Sequence, residues 1–178
     1  MSFEMEIQEQ GAVELDNRPT ITSSVISLFA AFMALIATAP FSAISIPFSL
    51  AGILFIALGL FVSHSEGWVS IGMLSIFLGI VLAGLIGTAS LPLLLVAIVG
   101  LMVSWDVGQH AITIGNQLGR SAPTQRGELI HAAASCLVGV LAAGAVYTAY
   151  LLGSGRQPVL ALVLVILGVS ILIWSLRE

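Results

Sequence analysis

The run LPLLLVAIVGLMVSWDVGQHAITIGNQLGR, residues 91–120, starts as an apolar stretch and turns polar without an obvious break. From Leu91 to about Val103 it is apolar, with Pro92 in the first turn, where a missing N–H costs least. Trp105 and Asp106 then open the one long polar stretch downstream of the N-terminal tail, residues 104–131. Every other internal connection is short and nearly chargeless.

Turned about 100° per residue as a helix, the polar part sorts into faces. Asp106, Gln109, His110, Thr113, Asn116, Gln117 and Arg120 fall on one side at steps of three and four. Val107, Ile112, Ile114 and Leu118 lie away from that side. Ala111, Gly115 and Gly119 form a small-residue ridge that admits the close approach of another helix. Exposed glycines cost a helix roughly 1 kcal/mol each relative to alanine, so this ridge reads as packed against protein. A helix at about 91–105 is therefore expected to continue to about 119 as an amphipathic segment beyond the hydrocarbon. Pro123 disfavours helix at Ala122, and Thr124 can cap the next helix with Glu128 in its first turn. Glu128, His131 and Ser135 then share one face.

Working outward, further apolar runs lie at about 21–39, 45–63, 68–86, 129–152 and 159–176. Each matches a hydrocarbon core of about 30 Å at about 1.5 Å per residue. Hydrophobic residues make up 58% of the chain and charged residues 8%, against about 25% in soluble domains. Mean hydropathy is +1.12. So few charges would leave a soluble fold with an apolar surface. The expected fold is an all-α integral membrane bundle of six spans, residues 20–178, preceded by an acidic tail at 1–19. Five spans result instead if residues 21–63 hold one span and a re-entrant segment. A similarity between residues 49–63 and 90–104 involves only residues common in membrane helices, and no internal repeat is inferred from it.

With six spans, the tail and even-numbered connections carry Arg18, Arg120, Arg126 and Arg177, and the opposite side carries Arg156. The positive-inside rule then puts both termini in the cytoplasm. There is no lysine, and five of the nine acids (Glu4, Glu6, Glu9, Glu14 and Asp16) stand in the first twenty residues. This is the pattern of proteins from high-salt cytoplasms, and also one that chance produces in a chain with few charges. The acidic tail argues against a secretory signal peptide, which needs a basic start. No basic patch exists to neutralise nucleic-acid phosphates. The one cysteine, Cys136, cannot form an intramolecular disulfide and reads as a buried packing residue. Trp68, Trp105 and Trp174 stand at span ends, as interfacial anchors do.

Asp106 and His110, with Glu128 and His131 across the turn, form the one constellation of chemical interest. Ionisable groups near membrane depth are costly and mark proton or ion sites. The plainer reading puts them at interface height, solvated, with Arg120 and Arg126 pairing the acids. A His-Glu-x-x-His metal motif is absent, and no nucleotide loop, nucleophile elbow or cysteine cluster asks for a metal or cofactor. Small residues in the fifth run, among them Ala132, Gly139, Ala143 and Gly144, make a close-packing surface.

Trp105-Asp106-Val107-Gly108, Gln117-Leu118-Gly119-Arg120 and Thr124-x-Arg126-x-Glu128-Leu129-x-His131-Ala132 resemble the most recognisable part of a haloarchaeal family of small multi-span membrane proteins of unknown function. Its members are encoded near MoxR-type AAA ATPases and von Willebrand-domain-like proteins. The resemblance covers about thirty residues. It implies a membrane component of an ATPase-linked assembly, with no catalytic residues to carry over. The expected function is a non-enzymatic scaffold or accessory subunit whose 104–131 segment contacts a partner protein or a second copy. The rival is a small proton- or ion-coupled transporter using Asp106, His110, Glu128 and His131.

Overall fold

The computed structural model describes residues 16–120 and 122–152, and among them every regular element is a helix. Helix α1 spans Ile21–Thr38 and tightens into a 3-10 turn at Ala39–Phe41; α2 spans Ser45–Leu58 and widens into a π turn at Gly59–Ser63. Helices α3 (Glu66–Leu85), α4 (Leu91–Leu118) and α5 (Gln125–Leu152) follow. Among the described residues, five helices are long and apolar enough to cross a membrane. Two of them, Ile21–Phe41 and Ser45–Ser63, occupy the stretch that a re-entrant segment would have shared. The expected sixth span at 159–176 lies outside the described residues, as do Trp174, Arg156, Arg177 and the tail through residue 15.

The helix ends have local causes. Pro40 lies in the 3-10 turn after α1, and Pro92 stands in the first turn of α4. His64 takes a left-handed conformation, φ 49°, which reverses the chain between α2 and α3. Gly119 ends α4 at φ 79°, a value that suits a residue without a side chain. Helix α4 has 28 residues, or about 42 Å of axis, and so outruns a hydrocarbon core of about 30 Å.

Two antiparallel pairs make the core. In the α1–α4 pair, Ser27 lies against Ser104, and Ala30 against Gly100. Ala31 and Ala34 of α1, with Ala97 and Ala111 of α4, are fully buried. In the α2–α3 pair, a Cβ added to Gly72 would stand 2.6 Å from the carbonyl oxygen of Gly52. Lipid gives helices no hydrophobic reason to associate, so small faces that permit close van der Waals contact take over. Large apolar side chains such as Phe29, Leu54 and Leu74 point outward. On a water-soluble protein that surface would aggregate; it suits contact with acyl chains.

Most hydroxyls in the core are satisfied locally or across the pair, as an apolar surrounding favours, while the buried Ser49 hydroxyl has no partner. Ser24 and Thr38 donate to carbonyls one turn back, at Thr20 and Ala34. Ser27 donates to the Ser104 carbonyl at 2.6 Å, and Ser75 to the Phe48 carbonyl at 2.8 Å.

Helix α5 packs on the outside of this core. Ala132 is buried with Ala30, Val103 and Val107, and Gly139 rests on Val99. Cys136, expected to be buried, is exposed on α5. Trp105, expected as an interfacial anchor, packs against the main core cluster midway along α4. Trp68 stands at the start of α3 and stacks on Phe55, ring centroids 5.6 Å apart.

Candidate functional site

Glu128 lies one turn into α5, and its side chain is pushed into the bundle with 2% exposure. A carboxylate so buried needs donors for its oxygens. Oε2 accepts from the Thr20 hydroxyl at 2.7 Å, the Ser23 hydroxyl at 2.7 Å and the Ser23 backbone amide at 2.9 Å. Oε1 accepts from the Thr124 hydroxyl at 2.7 Å. The Ser23 amide belongs to the first turn of α1, where N–H groups have no helical acceptor and the helix dipole favours an anion. One α5 side chain thus caps α1. Thr20, at the N-cap position of α1, makes no side-chain capping bond and serves Glu128 instead.

A second group lies where α4 and α5 meet. His131 Nε2 stands 3.0 Å from Asp106 Oδ2, with side chains 35% and 44% exposed. This is an ion-pair distance in which the ring N–H is not aligned to donate. Ser135 donates its hydroxyl to the same carboxylate oxygen. His110 stacks on His131, ring centroids 3.9 Å apart and planes 21° from parallel. Counting about twenty residues of hydrocarbon from Leu91 reaches residue 110 or so.

Serine, histidine and aspartate meet here, but not in the order that activates a nucleophile. A triad places the histidine between serine and carboxylate so that it can take the serine proton. Here Ser135 donates to Asp106 directly. The arrangement ties two helices through a carboxylate and leaves two imidazoles in contact beside it.

The remaining residues of the polar stretch go elsewhere. Gln109 donates to the Glu66 carbonyl at 3.3 Å and the Ser70 hydroxyl at 3.2 Å, so it binds α4 to the start of α3. Thr113 returns its hydroxyl to the Gln109 carbonyl. Asn116 and Gln117 are exposed. The Arg120 backbone amide donates to the Asp16 carbonyl at 2.8 Å. Ala111 and Gly115 are buried where α4 meets the segment entering α1, Gly139 meets Val99, and Ala143 is half-buried. Arg120 and Arg126 form no ion pair with Asp106 or Glu128 among the described residues; hydroxyls and His131 take that place. No cluster of three His, Cys, Asp or Glu side chains suited to a metal ion occurs among the described residues.

The structure brings Asp106, His110 and His131 together and turns Glu128 toward α1. Sequence reasoning did not find Thr20, Ser23 and Thr124 as Glu128 partners. Hydroxyls every three or four residues on α1 were the available signal, but they name no acceptor.

No curated protein and no solved structure matches the chain. Residues 17–173 match a family described only as being of unknown function, and a match over that much of its length shows that the chain belongs to that family, DUF7519.

Proposed function

We propose that the protein is a non-enzymatic, multi-pass scaffold or accessory subunit of the cell membrane. It docks a partner through the end of α4 and the turn into α5. The observation that carries this is the division of labour in 104–131. Asp106, Gln109, Glu128 and His131 are engaged with neighbouring helices, while Asn116, Gln117, Leu118, Gln125 and Arg126 are left exposed at one end. Polar ties inside a helical bundle fix its shape, and an exposed polar end on a fixed shape suits recognition.

Arg18, Arg120 and Arg126 gather at that same end, which the positive-inside rule assigns to the cytoplasm. With a sixth span at 159–176 both termini lie there. The resemblance to the haloarchaeal family points to an ATPase-linked assembly as the partner, and a second copy of the chain is the other occupant to test. Co-purification from native membranes compares the wild type with Asn116→Leu/Gln117→Leu. Selective loss of one partner is expected; an unchanged set overturns the reading.

The contact of His131 with Asp106, beside His110, favours a second reading as a proton- or ion-coupled transporter. Asp106→Asn then abolishes proton-driven flux in reconstituted vesicles, and an unaltered flux sinks that reading.

A further inference from the structure

A recess of about 400 Å³ opens at the end of the bundle where the chain enters α1. Arg18 and Arg120 line it, together with His64 and with Leu60, Phe61 and Val62 from the close of α2. The two arginines are far apart in sequence, and the fold brings them together. The Arg120 amide holds the Asp16 carbonyl at 2.8 Å, and the Thr20 amide donates to the Ala111 carbonyl at 3.3 Å. These bonds strap residues 16–20 along the last turns of α4. Gly115 has no side chain there, and the backbone of Arg18 and Pro19 occupies the space one would need.

The walls differ in kind. On one side stand two guanidiniums, and Arg18 is 62% exposed at its side chain. Its ion pair with Asp16 at 3.6 Å is itself exposed and holds it only weakly. On the other side, Leu60 is buried, while Phe61 and Val62 are exposed on the outer surface of a helix that is apolar enough to cross the membrane. Arginine offers planar, paired donors that match phosphate oxygens. A soluble phosphate needs only the cationic wall. A ligand that also needs the apolar one carries an acyl chain beside its phosphate.

We infer that this recess binds the phosphate of an anionic phospholipid, with Arg18 and Arg120 holding the headgroup and Phe61 and Val62 lying along the chain. Basic pockets between membrane helices on the cytoplasmic side take such headgroups. The lipid then bridges the strap, α2 and α4 at the end proposed for partner docking, although lipid binding does not depend on that proposal.

The test reconstitutes the full chain in nanodiscs of mixed phosphatidylcholine and phosphatidylglycerol. The protein is released into mild detergent and its retained lipid weighed by native mass spectrometry. Phosphatidylglycerol is expected to stay preferentially, and Arg18→Gln/Arg120→Gln to weaken its retention roughly tenfold or more. Arg126→Gln, an exposed arginine outside the recess, leaves retention unchanged. Arg18→Gln alone replaces an exposed side chain, so it keeps the fold and still lowers retention. Phe61→Ser weakens the lipid as well. Displacement of phosphatidylglycerol by excess inorganic phosphate, with no effect of Phe61→Ser, overturns the inference in favour of a free-anion site. Equal retention of the two lipids, or an equal loss with Arg126→Gln, overturns it outright.

Discussion

Glu128 accepts hydrogen bonds from both the hydroxyl and the backbone amide of Ser23, 105 residues earlier in the chain. The first turn of α1 and the first turn of α5 are thereby fixed to one another through a single carboxylate, with Thr20 and Thr124 completing its shell.

Removing that carboxylate strands four donors in a buried place. Glu128→Ala is expected to lower stability by about 2–3 kcal/mol, the range for hydrogen bonds to a charged group. Glu66→Gln, at an exposed site in the first turn of α3, costs under about 1 kcal/mol through the helix dipole alone. Thermal unfolding of both variants in the same detergent measures the difference. Equal losses would show that the Glu128 shell contributes nothing particular.

Close approach of α2 and α3 gives a second prediction, of opposite sign at two glycines. Gly72→Ala places a Cβ 2.6 Å from the Gly52 carbonyl oxygen, so the helices must separate. A loss of about 1–3 kcal/mol is expected. Gly127, in the first turn of α5, has nothing within 4 Å of such a Cβ. There alanine is neutral or stabilises by up to about 1 kcal/mol through helix propensity. The same melting assay reads both.

Between α4 and α5, a double-mutant cycle on Asp106→Asn and His131→Gln isolates their pairing. Both side chains are partly exposed, so the coupling is expected to be at most about 1 kcal/mol. Each substitution removes one side of the contact at 3.0 Å, so the cycle reads what the pair itself contributes between the two helices. A coupling of zero would mean that the contact does not tie α4 to α5.

The helices were legible because a bilayer leaves the backbone no acceptor but its own. The apolar runs at about 21–39 and 45–63 mark α1 and α2 without any tertiary knowledge. Asp106 and His110 could be placed on one face because they sit four apart on one helix. The shell of Glu128 was not legible for the opposite reason. Its donors come from α1, and counting along α5 cannot say which distant helix arrives beside it. The arginines misled in the same way. Charge suggested them as partners for the acids, yet at a buried carboxylate short hydroxyls fit where a long guanidinium does not.

The pairing order bears on how the chain enters the membrane. Helices α2 and α3 are neighbours joined by a turn at His64 and Ser65, so they can zip together as soon as both are inserted. Helix α1 has its main partner in α4, three spans later. Ser27 donates to a carbonyl of α4 rather than to its own helix. Until that fourth span is synthesised, this hydroxyl and the alanine face of α1 have no α4 to cover them. The α5 carboxylate that caps the first turn of α1 is made later still, so the pair is complete before it is tied to α5.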